Sequence, residues 1–379
     1  MAATTTEREL TPEFLDSIHE SFTSDSKNLL AVNACVRNDV HEVLTAHSVT
    51  RGDTSHHTFS HVVSGECKAA DQKSSGRCWI FACLGVIRRD IIKEHDLPAD
   101  WELSQTHLFF WDKVERCNHF LEVMISTLDE DVDSRLQHHL LSDPINDGGQ
   151  WDMLANLINK YGLVPKTAMP EAWTSCASRK LNWLLANKLR EFASVFRTQC
   201  GVTDGEDTFA AKAARGHKVR TLKAEMMEEL YRIICIHLGT PVTKFDWSVR
   251  SKDGKSFKRY TGLTPKTFAE KFVKFDVNDY VSVINDPRNE YGQMYTVAHL
   301  GNVVGGAPFA TSTRPSTSSA TLSPTQSSTT SRSGSVATSA SSSSARKASS
   351  TLPSLTTTSS AARRSTWTRR PASATVRAS

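Results

Sequence analysis

Apolar residues recur at three- and four-residue steps along much of the first 240 or so positions, a spacing that predicts helices. Trp79, Ile80, Leu84, Ile87 and Ile91 share one face and predict a helix over 78–93. Ser104 is placed to cap a second helix, which carries Leu108, Trp111, Val114 and Leu121. A third runs from Trp151 through Leu154, Leu157 and Ile158 to a stop at Gly162. The same amphipathic pattern returns over 177–197 and 222–238. Near the start, Thr11 can cap and Pro12 suits a first helical position, so Phe14, Leu15 and Ile18 mark a helix entry within 10–30. Residues 31–70 are polar and mixed, with a strand-like Val62-Val63. From about residue 240 the pattern turns to mixed strand and loop, around Gly262-Leu263-Thr264-Pro265, Val281-Ser282-Val283-Ile284 and Met294-Tyr295-Thr296-Val297. No internal repeat is present.

Composition changes this picture at one place. Of the 73 residues from Ala307 to Ser379, 38 are Ser or Thr, nine are Lys or Arg, and none is Asp or Glu. The whole chain has 45 basic and 41 acidic residues, which leaves 36 basic and 41 acidic before Ala307. The formal charge of +4 is therefore a +9 tail added to a −5 body. With few apolar residues and no periodicity, the tail buries too little apolar surface to offset its ordering entropy. The expectation is a structured domain over 1–306 and a low-complexity, disordered tail over 307–379. A Ser, Thr, Arg, Ala and Pro composition that begins abruptly is what a GC-rich coding sequence gives when read out of frame. A frameshift or mis-spliced intron near codon 306 is the expected origin, with a real isoform as the alternative.

The eight cysteines (Cys35, Cys67, Cys78, Cys83, Cys117, Cys176, Cys200 and Cys235) are scattered, with no Cys-x-x-Cys and no metal-ligand spacing. That distribution predicts a reducing compartment. The adjacent pairs His56-His57 and His138-His139 point apart on a helix or strand, so no metal or cofactor is expected. No apolar run reaches the ~20 residues of a membrane span. The N-terminal stretch lacks the apolar core of a signal peptide and the Arg-rich character of a transit peptide. A cytoplasmic location follows as the expectation.

One segment carries candidate chemistry. A thiol protease needs a thiolate, a base, a group that orients the base, and donors for an oxyanion. Cys78 falls at the N-terminal end of a strong helix, where unpaired N–H groups and the helix dipole favour a thiolate. Gln72 lies six residues upstream across a Ser74-Ser75-Gly76 turn that can return its amide to the sulfur. The Gln72 amide and the Cys78 N–H together can form an oxyanion hole, and Gly76 keeps the approach to the sulfur open. These residues alone also fit a buried structural cysteine at a helix start. Gly148-Gly149, by spacing alone, is a turn before a helix.

The stretch Asp71-Gln72-Lys73-Ser74-Ser75-Gly76-Arg77-Cys78-Trp79-Ile80-Phe81 resembles the active-site segment of the bleomycin hydrolase family, papain-like cysteine aminopeptidases. The resemblance continues through Leu108–Cys117, Asn146–Met153, Lys160–Lys166, Met226–Glu229, Val283–Arg288 and Val303–Gly306. It implies an α+β papain-like cysteine peptidase fold with helical insertions, whose β-rich second half is incomplete in this sequence. It implies a cytosolic enzyme acting on peptides and related amides, with Cys78 as nucleophile, Gln72 in the oxyanion hole, and Gly148 and Gly149 pairing with the substrate backbone like an added strand. It also implies a homohexamer. The family's catalytic His and Asn occur in Thr-His-Ala-Met and Asn-Ser-Trp-Gly contexts, and neither is present here. The last His is His299, and the tail holds no His, Asn or Asp. The chain as written is therefore expected to have little or no peptidase activity. The alternative reading is a non-catalytic protein whose basic tail contacts nucleic acid or another acidic partner.

Overall fold

The structure, a computed structural model, describes residues 10–47, 67–201, 209–315, 334–337 and 364–369. The chain divides into two compact units, Met1–Val62 with Ser341–Ser360, and Val63–Ala340 with Ala361–Ser379.

The described part of the first unit is helical. Helix α1 spans Pro12–Ser24, with the Thr11 hydroxyl accepting the Phe14 N–H at 3.3 Å and Pro12 in the first turn, as the sequence predicts. Helix α2 follows over Ser26–Cys35 and α3 over Val40–Leu44, each capped by an aspartate, Asp25 and Asp39. Over 31–47, the expectation of mixed structure is thus corrected to two short helices. Asx caps start each helix anew and outweigh the weak periodicity of the segment. Val62-Val63 lies outside the described residues.

In the second unit α4, Cys78–His95, sits at the core and buries Ile80, Cys83, Leu84, Ile87 and Ile91. It ends at Asp96, a left-handed cap with φ 50°. Helix α5, Gln105–Ser126, starts at Ser104, whose hydroxyl accepts the His107 N–H at 3.1 Å. Short α6, Arg135–Ser142, leads to α7, Trp151–Tyr161, which stops at Gly162. Gly162 has φ +70°, and a Cβ there would lie 2.4 Å from the Pro265 backbone, so no other residue fits. Short α8, Trp173–Cys176, precedes the long pair α9, Arg179–Cys200, and α10, Phe209–Leu238.

The later part holds the strands. β1, Phe245–Arg250, and β2, Phe257–Leu263, form an antiparallel hairpin with Trp247 opposite Tyr260. The Trp247 and Tyr260 rings pack around His95 at the end of α4 with Phe272, at centroid distances of 5.6, 6.4 and 5.5 Å. Helix α11, Pro265–Phe272, stands where mixed strand and loop is expected from sequence. The Thr264 and Thr267 side chains each accept the other's backbone N–H, and Pro265 supplies a pre-set first turn.

β3, Tyr280–Ile284, is the middle strand of a five-stranded sheet. Its neighbours are β4, Met294–Tyr295, and β5, Thr311–Thr313, on one side, and β7, Arg364–Arg369, with β6, Gly334–Ala337, on the other. β3 runs parallel to β5, Ser282 opposite Thr311, and antiparallel to β7, Ser282 opposite Trp367. The tail expected to be disordered from Ala307 thus holds described strands at three places, β5, β6 and β7. Phe309, Ala310, Thr311 and Thr313 are buried, and the Ala310 N–H donates to Asp152 at 3.1 Å. The other tail residues, 316–333, 338–363 and 370–379, on which the disorder expectation falls, lie outside the described set. Among the described residues no helix is long and apolar enough to cross a membrane.

Candidate active site

Cys78 opens α4. Arg77 precedes it as N-cap without a side-chain capping bond, and the first turn holds no acidic residue. The first N–H groups are thus free for another acceptor. The half-buried Cys78 thiol donates to the Gly76 carbonyl at 4.0 Å, and the N–H groups of Cys78 and Trp79 close to the sulfur favour the thiolate. Burial outweighs them and leaves the thiol above its ordinary range. Among the described residues no imidazole hydrogen-bonds this sulfur, and without an ion-pair partner the thiol form dominates near neutral pH. Fully buried Cys83 and Cys117 are pushed up further, Cys117 to about 12, which leaves them inert.

The segment before Cys78 folds back as its sequence requires. Lys73 takes a left-handed conformation, φ 55°, held by its N–H donating to Asp71 at 2.8 Å. Gln72 lies within that reversal, and its carbonyl also faces the Arg77 guanidinium at 3.5 Å. One amide hydrogen of Gln72 donates to the Ser75 carbonyl at 2.8 Å, while the Ser75 hydroxyl donates to the Gln72 carbonyl at 2.7 Å. The second amide hydrogen has no acceptor among the described residues. Arg77, fully buried, threads beneath this loop: its Nε donates to Ser75 Oγ at 2.8 Å and its guanidinium pairs with Glu171 at 2.8 Å. The Phe81 and Phe109 rings lie against the guanidinium at 5.0 and 5.3 Å. Ser74 N–H donates to the Cys176 carbonyl at 2.9 Å, which ties the loop to α8.

Gly148 and Gly149 precede α7, and the structure separates them. A Cβ on Gly149 would meet three Trp79 ring carbons at 2.6, 2.7 and 2.8 Å. Packing of the chain on itself already requires that glycine. A Cβ on exposed Gly148 would find only Asn146 Oδ1, at 3.8 Å, so internal packing does not require glycine there. Gly76 also has an internal reason, since a Cβ would sit 2.7 Å from Asp147 Cβ.

Sequence reasoning missed the group that joins these parts. Asp147 is buried, and its carboxylate accepts the Gly76 N–H at 2.9 Å, Lys113 Nζ at 2.8 Å, Asn182 Nδ2 at 2.7 Å and the Ser178 hydroxyl. Its carbonyl accepts the Trp79 indole N–H at 2.6 Å. Burial raises the carboxyl, but Lys113, the Ser178 hydroxyl and the Gly76 N–H together outweigh it and hold it well below the usual range. Lys113 is fully buried and also donates to the Asn146 carbonyl at 2.7 Å. Arg116 on the next turn bonds Asp112 at 2.7 Å and the Gly148 carbonyl. The available signal was Lys113 and Arg116 on the apolar face of a helix, where unpaired cations are not tolerated.

Of the histidines after Cys78, His107 is buried with Nε2 3.3 Å from the Tyr161 carbonyl, and burial lowers it to about 4. His237 Nδ1 lies 2.8 Å from the Ile233 carbonyl, and His95 sits in the aromatic cluster. None of these three imidazoles hydrogen-bonds the Cys78 sulfur. Among the described residues no group of three or more His, Cys, Asp or Glu is arranged to hold a metal ion.

The model of the peptidase C1-like family matches residues 9–317. Mouse (Mus musculus) bleomycin hydrolase is 40% identical over 306 residues, which are 78% of this chain and 64% of that protein. Aminopeptidase C of Listeria monocytogenes is 43% identical over 252 residues, 66% of this chain and 54% of the relative. The chain thus spans a little under two thirds of the mouse relative's length. The crystal structure of PepW from Lactobacillus rhamnosis superposes with a TM-score of 0.74 at 36% identity, covering 87% of this chain and 70% of that one.

Proposed function

The chain belongs to the peptidase C1-like family and shares its papain-like fold, and on that premise we propose that it carries the nucleophile half of a cysteine aminopeptidase site of the bleomycin hydrolase type. Its substrates are peptides and related amides with a free N-terminus. Cys78 is the nucleophile: its thiolate attacks the carbonyl carbon, and the carbonyl oxygen becomes an oxyanion. The Cys78 N–H and the uncommitted amide hydrogen of Gln72 receive that charge. Gly148 lines the substrate edge, where the missing side chain lets a peptide backbone approach. Gly149 serves the same edge indirectly, by letting Trp79 pack beneath it.

The observation that carries this reading is a half-buried cysteine at an uncapped helix start, preceded by a loop that anchors the Gln72 amide on the Ser75 carbonyl, together with an open glycine edge. Base and orienting residue do not occur in these 379 residues in the family's form. The thiol is therefore competent to react with an activated electrophile and slow to turn over an amide. A homohexameric assembly and a cytosolic setting are carried over from the family resemblance as part of the same proposal.

The test is labelling of the full chain with a peptidyl chloromethyl ketone, mapped by mass spectrometry. Modification concentrated on Cys78 over the other seven cysteines supports the proposal. Labelling spread by exposure, with Cys35 ahead of Cys78, rejects it.

A further inference from the structure

Cys78 is held from both sides by one residue outside its own segment. Two positions before it, the Gly76 N–H donates to the Asp147 carboxylate at 2.9 Å. One position after it, the Trp79 indole N–H donates to the Asp147 carbonyl at 2.6 Å. The next residue along the chain is Gly148, the open edge. We propose that Asp147 is a positioning residue that sets the distance between the Cys78 sulfur and the Gly148 edge.

The argument rests on where its partners come from. Lys113 lies on α5, Asn182 on α9, and Ser178 is the residue just before α9. These three fix the carboxylate to two long, well-buried helices. The remaining two contacts reach out to the residues that flank the nucleophile. The position of Cys78 is thus referred to the helical framework through Asp147, and the substrate edge begins at the adjoining peptide unit. The contact is close enough that Gly76 admits no Cβ. Four donors converge on one carboxylate, and an amide in its place would offer one acceptor oxygen and would turn a donor toward other donors. A role limited to stability accounts for the three framework donors. It does not account for both of the other contacts ending on neighbours of Cys78.

This inference rests on the reading of Cys78 as a peptide-attacking thiol, and the experiment separates the two. Two second-order rates are measured at Cys78 in the full chain. Iodoacetamide needs only a thiolate, whereas a peptidyl chloromethyl ketone needs the thiolate at a fixed place relative to the bound peptide. Their ratio cancels changes in thiolate fraction. Asp147→Asn strands the Lys113 ammonium and can lower the folded fraction. Asp147→Glu keeps that counter-charge, displaces the contact to Gly76, and is expected to stay folded by circular dichroism. Asp147→Glu should lower the ketone-to-iodoacetamide ratio by about tenfold, as expected for misplacement of a reacting group by a fraction of an ångström. The Lys113→Met/Asp147→Asn pair, which removes both buried charges, should do the same. A folded Asp147→Glu chain whose ratio is unchanged overturns the inference, as does an unfolded one, since Asp147 would then be structural. A wild-type ratio no higher than that of a free cysteine peptide rejects the reading of Cys78 itself.

Discussion

The paired glycines before α7 offer a sharp perturbation, because the structure gives them different reasons to exist. At Gly149 an alanine Cβ would lie 2.6–2.8 Å from three Trp79 ring carbons. Ordinary carbon contacts are about 3.5–4.0 Å, so something must move by about 1 Å. The ring is not free to give way: its indole N–H is bonded to the Asp147 carbonyl at 2.6 Å, and its face is covered by Arg116 at 5.8 Å. Overpacking a buried site costs about 1–3 kcal/mol and loss of the indole hydrogen bond about 1 kcal/mol more, so Gly149→Ala should destabilise by about 2–4 kcal/mol. At Gly148 the added methyl meets only Asn146 Oδ1 at 3.8 Å, and the backbone is not in the left-handed region. Gly148→Ala should therefore shift stability by less than about 1 kcal/mol, since neither packing nor dihedral strain opposes it. It should instead slow peptidyl chloromethyl ketone labelling of Cys78, with iodoacetamide labelling unchanged. Urea unfolding followed by tryptophan fluorescence gives the two stabilities. Equal stability for both variants, or a loss confined to Gly148→Ala, would refute the packing argument.

Other expectations concern charge. His107 is lowered by burial from 6.5 to about 4, so its folded-state value lies below its unfolded value. Its contribution, about 3 kcal/mol, is complete above about pH 6.5 and is lost as pH falls toward 4. His107→Gln should flatten the acid limb of stability against pH in that window. Asp147 is a depressed carboxyl, so its contribution is present above about pH 4, the unfolded value, and is lost as pH falls through the folded one. Asp147→Asn should remove that part of the acid transition. Cys78 is raised chiefly by burial, so its iodoacetamide rate should still be climbing past about pH 8.5, where an ordinary thiol begins to level off. A profile that levels off near pH 7 would show a cationic partner for this sulfur.

Helix α4 was legible because its signal is local. Trp79, Ile80, Leu84, Ile87 and Ile91 mark the buried face of α4, and the polar turn before Cys78 marks its start. Caps written in two or three residues, such as Thr11-Pro12 and Ser104, were legible for the same reason. The Thr264-Pro265 start of α11 used the same chemistry and was obscured by strand-like neighbours. The Asp147 network was not legible, because Gly76 and Asp147 are 71 positions apart and nothing in either segment specifies the other. Gly148 and Gly149 look alike in sequence, and only the Trp79 ring beneath one of them tells them apart. The edge of order near Gly306 was displaced for a related reason. Thr311 and Thr313 read as part of a Ser/Thr tail, yet pairing with β3 buries them.

The central claim is that these residues hold a peptide-attacking thiol and its oxyanion donors without the base that drives turnover. It is tested most directly by incubating the full chain with an aminoacyl fluorogenic amide at neutral pH beside a Cys78→Ser control. The account predicts no release above the control, although Cys78 in the same sample is modified by the peptidyl chloromethyl ketone. Steady turnover that the Cys78→Ser change abolishes would contradict it, and would place a functional base among the residues of this chain.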